Sequence, residues 1–165
     1  MDNGNDDIFY LDRSSCGCIG IILRGKTAVF TGISVHQEPE KYRGDPVLLP
    51  LFLKQDFHFF FDKDDIRLDL YAVPFLSIIG YDSTGGYFST TEYDFSFQED
   101  FPLFYISAER KLYSVEGNST QFLTGAYAWK ENLKPSDAVK IFTSKQMAQK
   151  EFTIHDISEL NVPVL

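Results

Sequence analysis

The chain has 165 residues, 44% of them hydrophobic and 16% aromatic, with 24 acids against 15 bases and a formal charge of −9. That length and apolar content suffice for a packed domain and exclude global disorder. The acidic balance excludes nucleic acid and anionic membrane as favoured partners, because displacing counterions from phosphate needs cationic side chains.

The first ten residues, MDNGNDDIFY, carry neither a basic start nor a long apolar run and do not read as a signal peptide. Residues 1–7 are polar and are expected to be disordered. No window approaches 18 uninterrupted apolar residues, so no membrane span is expected, and the chain reads as cytoplasmic. Cys16 and Cys18 are separated by one residue. That spacing suits a disulfide poorly and supplies at most half of a zinc site. No second such pair exists, and His36, His58 and His155 are scattered. No metal or other cofactor is expected.

Ile19–Leu23 and Thr27–Phe30 flank Arg24-Gly25-Lys26 and read as a hairpin. His36–Pro46 is loop-like. Val47–Leu53 is apolar, but Pro50 argues against a central strand. The aromatic run Phe57–Phe61 reads as core, because few monomers expose so large an apolar patch. After an Asp62–Asp65 turn, Ile66, Leu68 and Leu70 alternate with Arg67, Asp69 and Tyr71, the period of a strand with one wet face. An apolar run over Ala72–Ile79, holding Pro74, then meets Asp82-Ser83-Thr84-Gly85-Gly86 and restarts at Tyr87-Phe88. This predicts a β-hairpin with a loop of roughly five residues. Phe101–Ser107 and Leu112–Val115 flank Ala108–Lys111 and predict another.

The pattern changes at Glu116. Asn118 and Ser119 offer N-cap chemistry, and Phe122, Leu123, Ala126 and Leu133, with Trp129 nearby, have helical spacing. Lys134-Pro135-Ser136 closes that helix and caps a second, carried by Ala138, Val139, Phe142 and Met147 through Lys150. Strands first and helices last predict an α+β fold. The expected architecture is a single domain over 1–165, mostly antiparallel sheet, with the C-terminal helices packed on one side.

Within Val73–Leu123 the sequence resembles the SUKH superfamily, which includes bacterial toxin-immunity proteins and relatives of a cell-wall-assembly regulator. The match rests on Ile79-Gly80-Tyr81-Asp82, then Gly85-Gly86-Tyr87-Phe88. It continues with Leu103-Phe104-Tyr105-Ile106 before Lys111-Leu112-Tyr113, and with Asn118-Ser119-Thr120-Gln121-Phe122-Leu123 leading into the helix. The N-terminal half lacks the family's opening helices; Lys41-Tyr42-Arg43-Gly44 is the nearest counterpart to its signature. The resemblance implies an immunity function, in which a toxin domain is bound and blocked. A nuclease toxin presents a basic groove, which carboxylates can occupy in place of phosphates.

Candidate partner-binding residues are the acids Asp62, Asp64, Asp65, Asp69, Asp82, Glu92, Asp94, Glu99 and Asp100, interleaved with Tyr71, Tyr81, Tyr87 and Tyr93. Tyrosine is enriched at binding hot spots, and an acidic surface accelerates encounter with a basic protein. The expected partner is therefore a basic protein, the cognate toxin domain, met by a monomer or weak dimer. An intracellular regulator or scaffold binding a host protein fits the same features. A metal-dependent hydrolase using Asp62, Asp64 and Asp65 is a third reading. An EF-hand loop counted from Asp62 fails, since its sixth and twelfth positions are Arg67 and Val73. No nucleophile, phosphate-loop or dinucleotide motif occurs, so the chain is not expected to be an enzyme.

Overall fold

The structure, a computed structural model, describes residues 8–13, 27–92, 97, 99–115, 119, 122 and 129–156. In chain order the first strands are β1 (Ile8–Asp12), β2 (Thr27–Thr31), β3 (Ile33–Val35) and β4 (Gln37–Glu38). A 3-10 turn over Glu40–Gly44 leads to helix α1 (Leu48–Leu53), then β5 (Phe60–Phe61), β6 (Tyr71–Val73), β7 (Leu76–Tyr81) and β8 (Tyr87–Thr90). β9 (Phe104–Ile106) and β10 (Leu112–Val115) follow. A 3-10 turn over Trp129–Asn132, β11 (Leu133–Pro135), β12 (Lys140–Phe142), α2 (Lys145–Gln149) and β13 (Ile154–His155) complete the described elements. The class is α+β, as the order of patterns predicts. The chain forms two compact units, each assembled from segments distant in sequence.

The first unit comprises residues 1–33, 69–75 and 139–165. Its three-stranded sheet has the order β13-β1-β2, with both pairings parallel. β12 pairs antiparallel with β6, setting Ile141 opposite Ala72. α2 begins at Ser144, whose hydroxyl accepts the Met147 amide at 3.2 Å, a side-chain N-cap. Ala148 on α2 packs with Tyr71, Val73 and Ile154, and Tyr10, Phe142 and Phe152 close that cluster.

The second unit comprises residues 34–68 and 76–138. Its six-stranded sheet has the order β11-β10-β9-β8-β7-β3. The run β7-β8-β9-β10-β11 is antiparallel throughout. Of the three expected hairpins, the two that fall in this unit form. β7 and β8 are joined by the five-residue loop Asp82–Gly86, and β9 and β10 by the turn around Ala108. Phe57, Phe59 and Phe61 are buried with Phe52, Phe88, Phe97, Phe122 and Trp129 in one aromatic core, so the Phe57–Phe61 run is core as expected. Phe57 stacks on Phe88 with ring centroids 4.4 Å apart. That stacking explains Gly80: a Cβ there would lie 2.3 Å from the Phe57 ring.

Val47–Leu53 is no strand, as Pro50 indicates, and most of it is helical, as α1. Several expectations are corrected. Asp65–Leu70 keeps its alternating burial but joins no ladder, so the strand begins only at Tyr71. The apolar run Ala72–Ile79 is split at Pro74, which has no amide to donate. The second helix is shorter than its periodicity indicates. Lys140–Phe142 pairs with β6 before that helix starts, and Leu133, expected in the first helix, pairs with β10 as part of β11. Aromatic and β-branched side chains at Ile141 and Phe142 fit a strand well, and an available edge decides the matter. The Ile19–Leu23 strand, the polar residues 1–7, Cys16 and Cys18, and most of the expected helix after Glu116 lie outside the described residues.

Candidate functional site

The β7–β8 loop is built around one carboxylate. Asp82 is 3% exposed, and its amide donates to Gly86 O at 3.1 Å. Its Oδ1 accepts the amides of Thr84 (3.0 Å) and Gly86 (2.8 Å). Its Oδ2 accepts the hydroxyls of Thr84 (2.7 Å) and Tyr105 (2.6 Å), with Lys130 Nζ 3.3 Å away. Burial alone would raise this carboxyl, but the bonds from Tyr105, Thr84 and the loop amides hold it below the usual carboxylate range. Tyr105, in turn, is pushed up to about 12 by burial and by the adjoining carboxylate. Glycine is required twice here. Gly85 has φ +92°, and a Cβ on Gly86 would lie 2.1 Å from the Tyr105 hydroxyl.

Asp56 supports the same loop from the turn after α1. It adopts φ 58°, accepts the Ser83 amide (3.1 Å) and hydroxyl (2.7 Å), and pairs with His58 (3.0 Å) and Lys130 (3.5 Å). Partial burial opposes its ionisation, but the Ser83, His58 and Lys130 contacts lower it to about 2. His58 stacks on Tyr81 at 5.1 Å, and Phe60 lies tilted against the same ring, also at 5.1 Å.

Beside this braced loop lies an open groove of about 410 Å³. It is lined by Tyr81, Asp82, Gly85, Gly86 and Tyr87 of the β7–β8 hairpin, by the segment Asp64, Asp65, Ile66, Arg67 and Leu68, and by Arg43 and Phe60. Tyr81 is 38% exposed and Tyr87 half-buried, so both rings face what enters. Arg110 sits over the Tyr87 ring at 5.3 Å.

The expected acidic residues divide. Asp64, Asp65, Tyr81, Asp82 and Tyr87 come together at the groove. Asp62 does not line the groove and accepts the Glu40 amide at 3.0 Å. Asp64 Oδ2 accepts the Phe61 amide (2.9 Å), while Oδ1 receives Arg43 (3.0 Å). Arg43 also holds Glu40 at 2.6 Å, which keeps that carboxyl below its ordinary range, and stacks on Phe61 at 4.4 Å. Asp65 is highly exposed, 3.7 Å from the equally exposed Arg67. Among the described residues, no group of three or more His, Cys, Asp or Glu is arranged to hold a metal ion. Glu92 and Glu99 are exposed, and Asp100 accepts the Ser119 hydroxyl at 3.0 Å; none of these three lines the groove.

Tyr71 is a correction. It is 5% exposed in the first unit, with its hydroxyl 2.7 Å from Thr31 Oγ1, and cannot present a contact surface. Asp69 also belongs to the first unit. Asp82 is a second correction: it is a buried organiser of the loop rather than an exposed acid. Tyr93 and Asp94 lie outside the described residues. Arg43, Arg67 and Lys130 were not anticipated. For Arg43 the Glu40-x-x-Arg43 spacing was the available signal.

Among the described residues, no helix is long and apolar enough to cross a membrane. Comparison with models of known protein families finds no match. Neither the curated proteins nor the solved structures provide one.

Proposed function

We infer that this chain is a non-enzymatic protein-binding domain that takes a basic protein partner at the groove beside the Asp82 loop. Of the possible partners, a cognate toxin domain, met in the cytoplasm as an immunity protein meets its target, fits the SUKH-like motifs best. The observation that carries the reading is the pairing of Tyr81 and Tyr87 on one wall of an open groove in a chain of charge −9. Tyrosines held by their neighbours bury area on binding at small entropic cost. The net negative charge supplies long-range attraction.

The local charges support a division of labour. Asp64 is paired with Arg43 and Asp82 is enclosed, so the groove is no open carboxylate trap. The charge of the whole chain steers the partner, and the groove then holds it by aromatic and apolar contact. Gly80, Tyr81, Asp82, Gly86 and Tyr105, which carry the family resemblance, are the residues that build the groove's rigid wall. The test is affinity capture from the source organism, followed by co-expression of each captured toxin with this chain. Protection from killing supports the reading. Recovery of metabolic enzymes alone contradicts it.

A further inference from the structure

The segment from Asp65 to Leu68, which lines the groove together with Tyr81 and Tyr87, has an unused property. Asp65 and Arg67 are exposed, while Ile66 and Leu68 are half-buried, the two-residue period of an extended chain. These residues nevertheless belong to no helix or strand. Among the described residues, the main-chain amides and carbonyls of Ile66, Arg67 and Leu68 make no hydrogen bond to another main-chain group. An extended segment with free donors and acceptors, bordering a groove, is an edge that a further strand can pair with.

We propose that Asp65–Leu68 is an acceptor edge for β-strand addition, and that the occupant is an extended segment of a basic protein partner. The proposal rests on the binding function inferred above and specifies its mode. At about 3.3 Å per residue, the four-residue edge spans roughly 13 Å, enough for a short stretch of ladder. Side chains of an added strand alternate in direction. One set lies on the Ile66 and Leu68 face, and the other lies on the face of the exposed Asp65 and Arg67. The occupant is therefore apolar on one face and cationic on the other. The cationic face follows from charge. The groove's Asp64, Asp65 and Asp82 are matched by Arg43, Arg67 and Lys130, so the attraction comes from the whole chain, whose charge is −9. The main-chain bonds supply affinity, and the alternating faces supply selectivity.

The probe is a seven-residue peptide of alternating Lys and Val, acetylated and amidated, titrated into the full chain. Amide hydrogen exchange is followed by NMR. Binding should slow exchange within Ile66–Leu68 at least tenfold and shift the Tyr81 and Tyr87 resonances. The same peptide N-methylated at every second residue, which removes the donors of one edge, should bind about tenfold more weakly in one of its two registers. Arg67→Pro should weaken binding comparably, whereas Arg67→Ala changes it less than twofold; the melting temperature shows whether either variant is folded. The N-methylated peptides test the edge on the unaltered protein even if Arg67→Pro does not fold. Binding that shifts Tyr81 and Tyr87 without protecting Ile66–Leu68, or with no N-methylation penalty, overturns strand addition and leaves the binding function standing. Peptide bound elsewhere, or not at all, also overturns it. The binding function is then judged separately by partner capture.

Discussion

The phenol of Tyr105 donates to the buried carboxylate of Asp82 at 2.6 Å, joining β9 to the loop between β7 and β8. Through this bond the aromatic core of the second unit fixes the shape of the groove wall. Tyr105 also packs on Phe88 and Trp129, with ring centroids 5.5 and 5.0 Å away, so its hydroxyl is held in place from behind.

Removing either end of that bond should cost stability. Tyr105→Phe deletes one donor to a charged acceptor, worth about 1.5–3 kcal/mol. Asp82→Ala strands the Thr84 and Tyr105 hydroxyls and the two loop amides, and should cost more. Urea denaturation of the two variants and of their double mutant measures the coupling, which should exceed about 0.5 kcal/mol.

Acid sensitivity follows from the same carboxylates. Asp82 and Asp56 both have folded-state values below their ordinary range. The unfolded chain therefore binds more protons over the interval between the folded and unfolded values, and stability rises with pH there. The stabilisation is complete above the unfolded carboxylate value near 4 and is lost as pH falls towards about 2, the Asp56 value. Melting curves across that interval should be flatter for Asp56→Asn than for the parent chain.

Gly86→Ala should be more damaging than an exposed loop substitution ordinarily is. The new methyl would lie 2.1 Å from a tyrosine oxygen that is itself locked by Asp82. Overpacking of this kind costs about 1–3 kcal/mol. Gly85→Ala meets only an ordinary contact at 3.6 Å, but places a side chain at φ +92°, and should cost about 1 kcal/mol. Thermal unfolding distinguishes the two.

In the first unit, Lys145 bridges the buried Asp12 at 2.8 Å and also pairs with Asp156. Burial would lower the ammonium, yet the two carboxylates raise it well above its ordinary value. Lys145→Ala removes the cationic partner of the buried Asp12 and should cost about 3 kcal/mol. Asp156→Ala should cost less, because Asp156 is partly exposed. Chemical denaturation of both variants checks the order.

Local chemistry made the hairpins legible. Asp82-Ser83-Thr84-Gly85-Gly86 is turn chemistry between two strand-forming runs, and it folds as such. The aromatic core was legible because so many phenylalanines in one stretch have nowhere else to go. The parallel pairing of β1 with β2 and β13 was not, since its partners are set by long-range contact and leave no periodic trace. The same holds for Leu133 of β11 and for β12, which read as helix in isolation and became strand where an edge was open to them. At the site, residue type located the tyrosines and acids but could not separate an exposed acid from an enclosed one. Asp82 and Asp65 look alike in sequence and differ completely in surroundings, because Tyr105 arrives from 23 residues away.

The most direct test of the binding account is the association of this chain with its captured partner, measured across ionic strengths from about 0.05 to 0.5 M for the parent chain, Tyr81→Ala and Tyr87→Ala. The account predicts an association rate that falls at least tenfold with salt in all three proteins, and dissociation about tenfold faster in each tyrosine variant. Salt-independent association, with both variants dissociating as slowly as the parent, would contradict it.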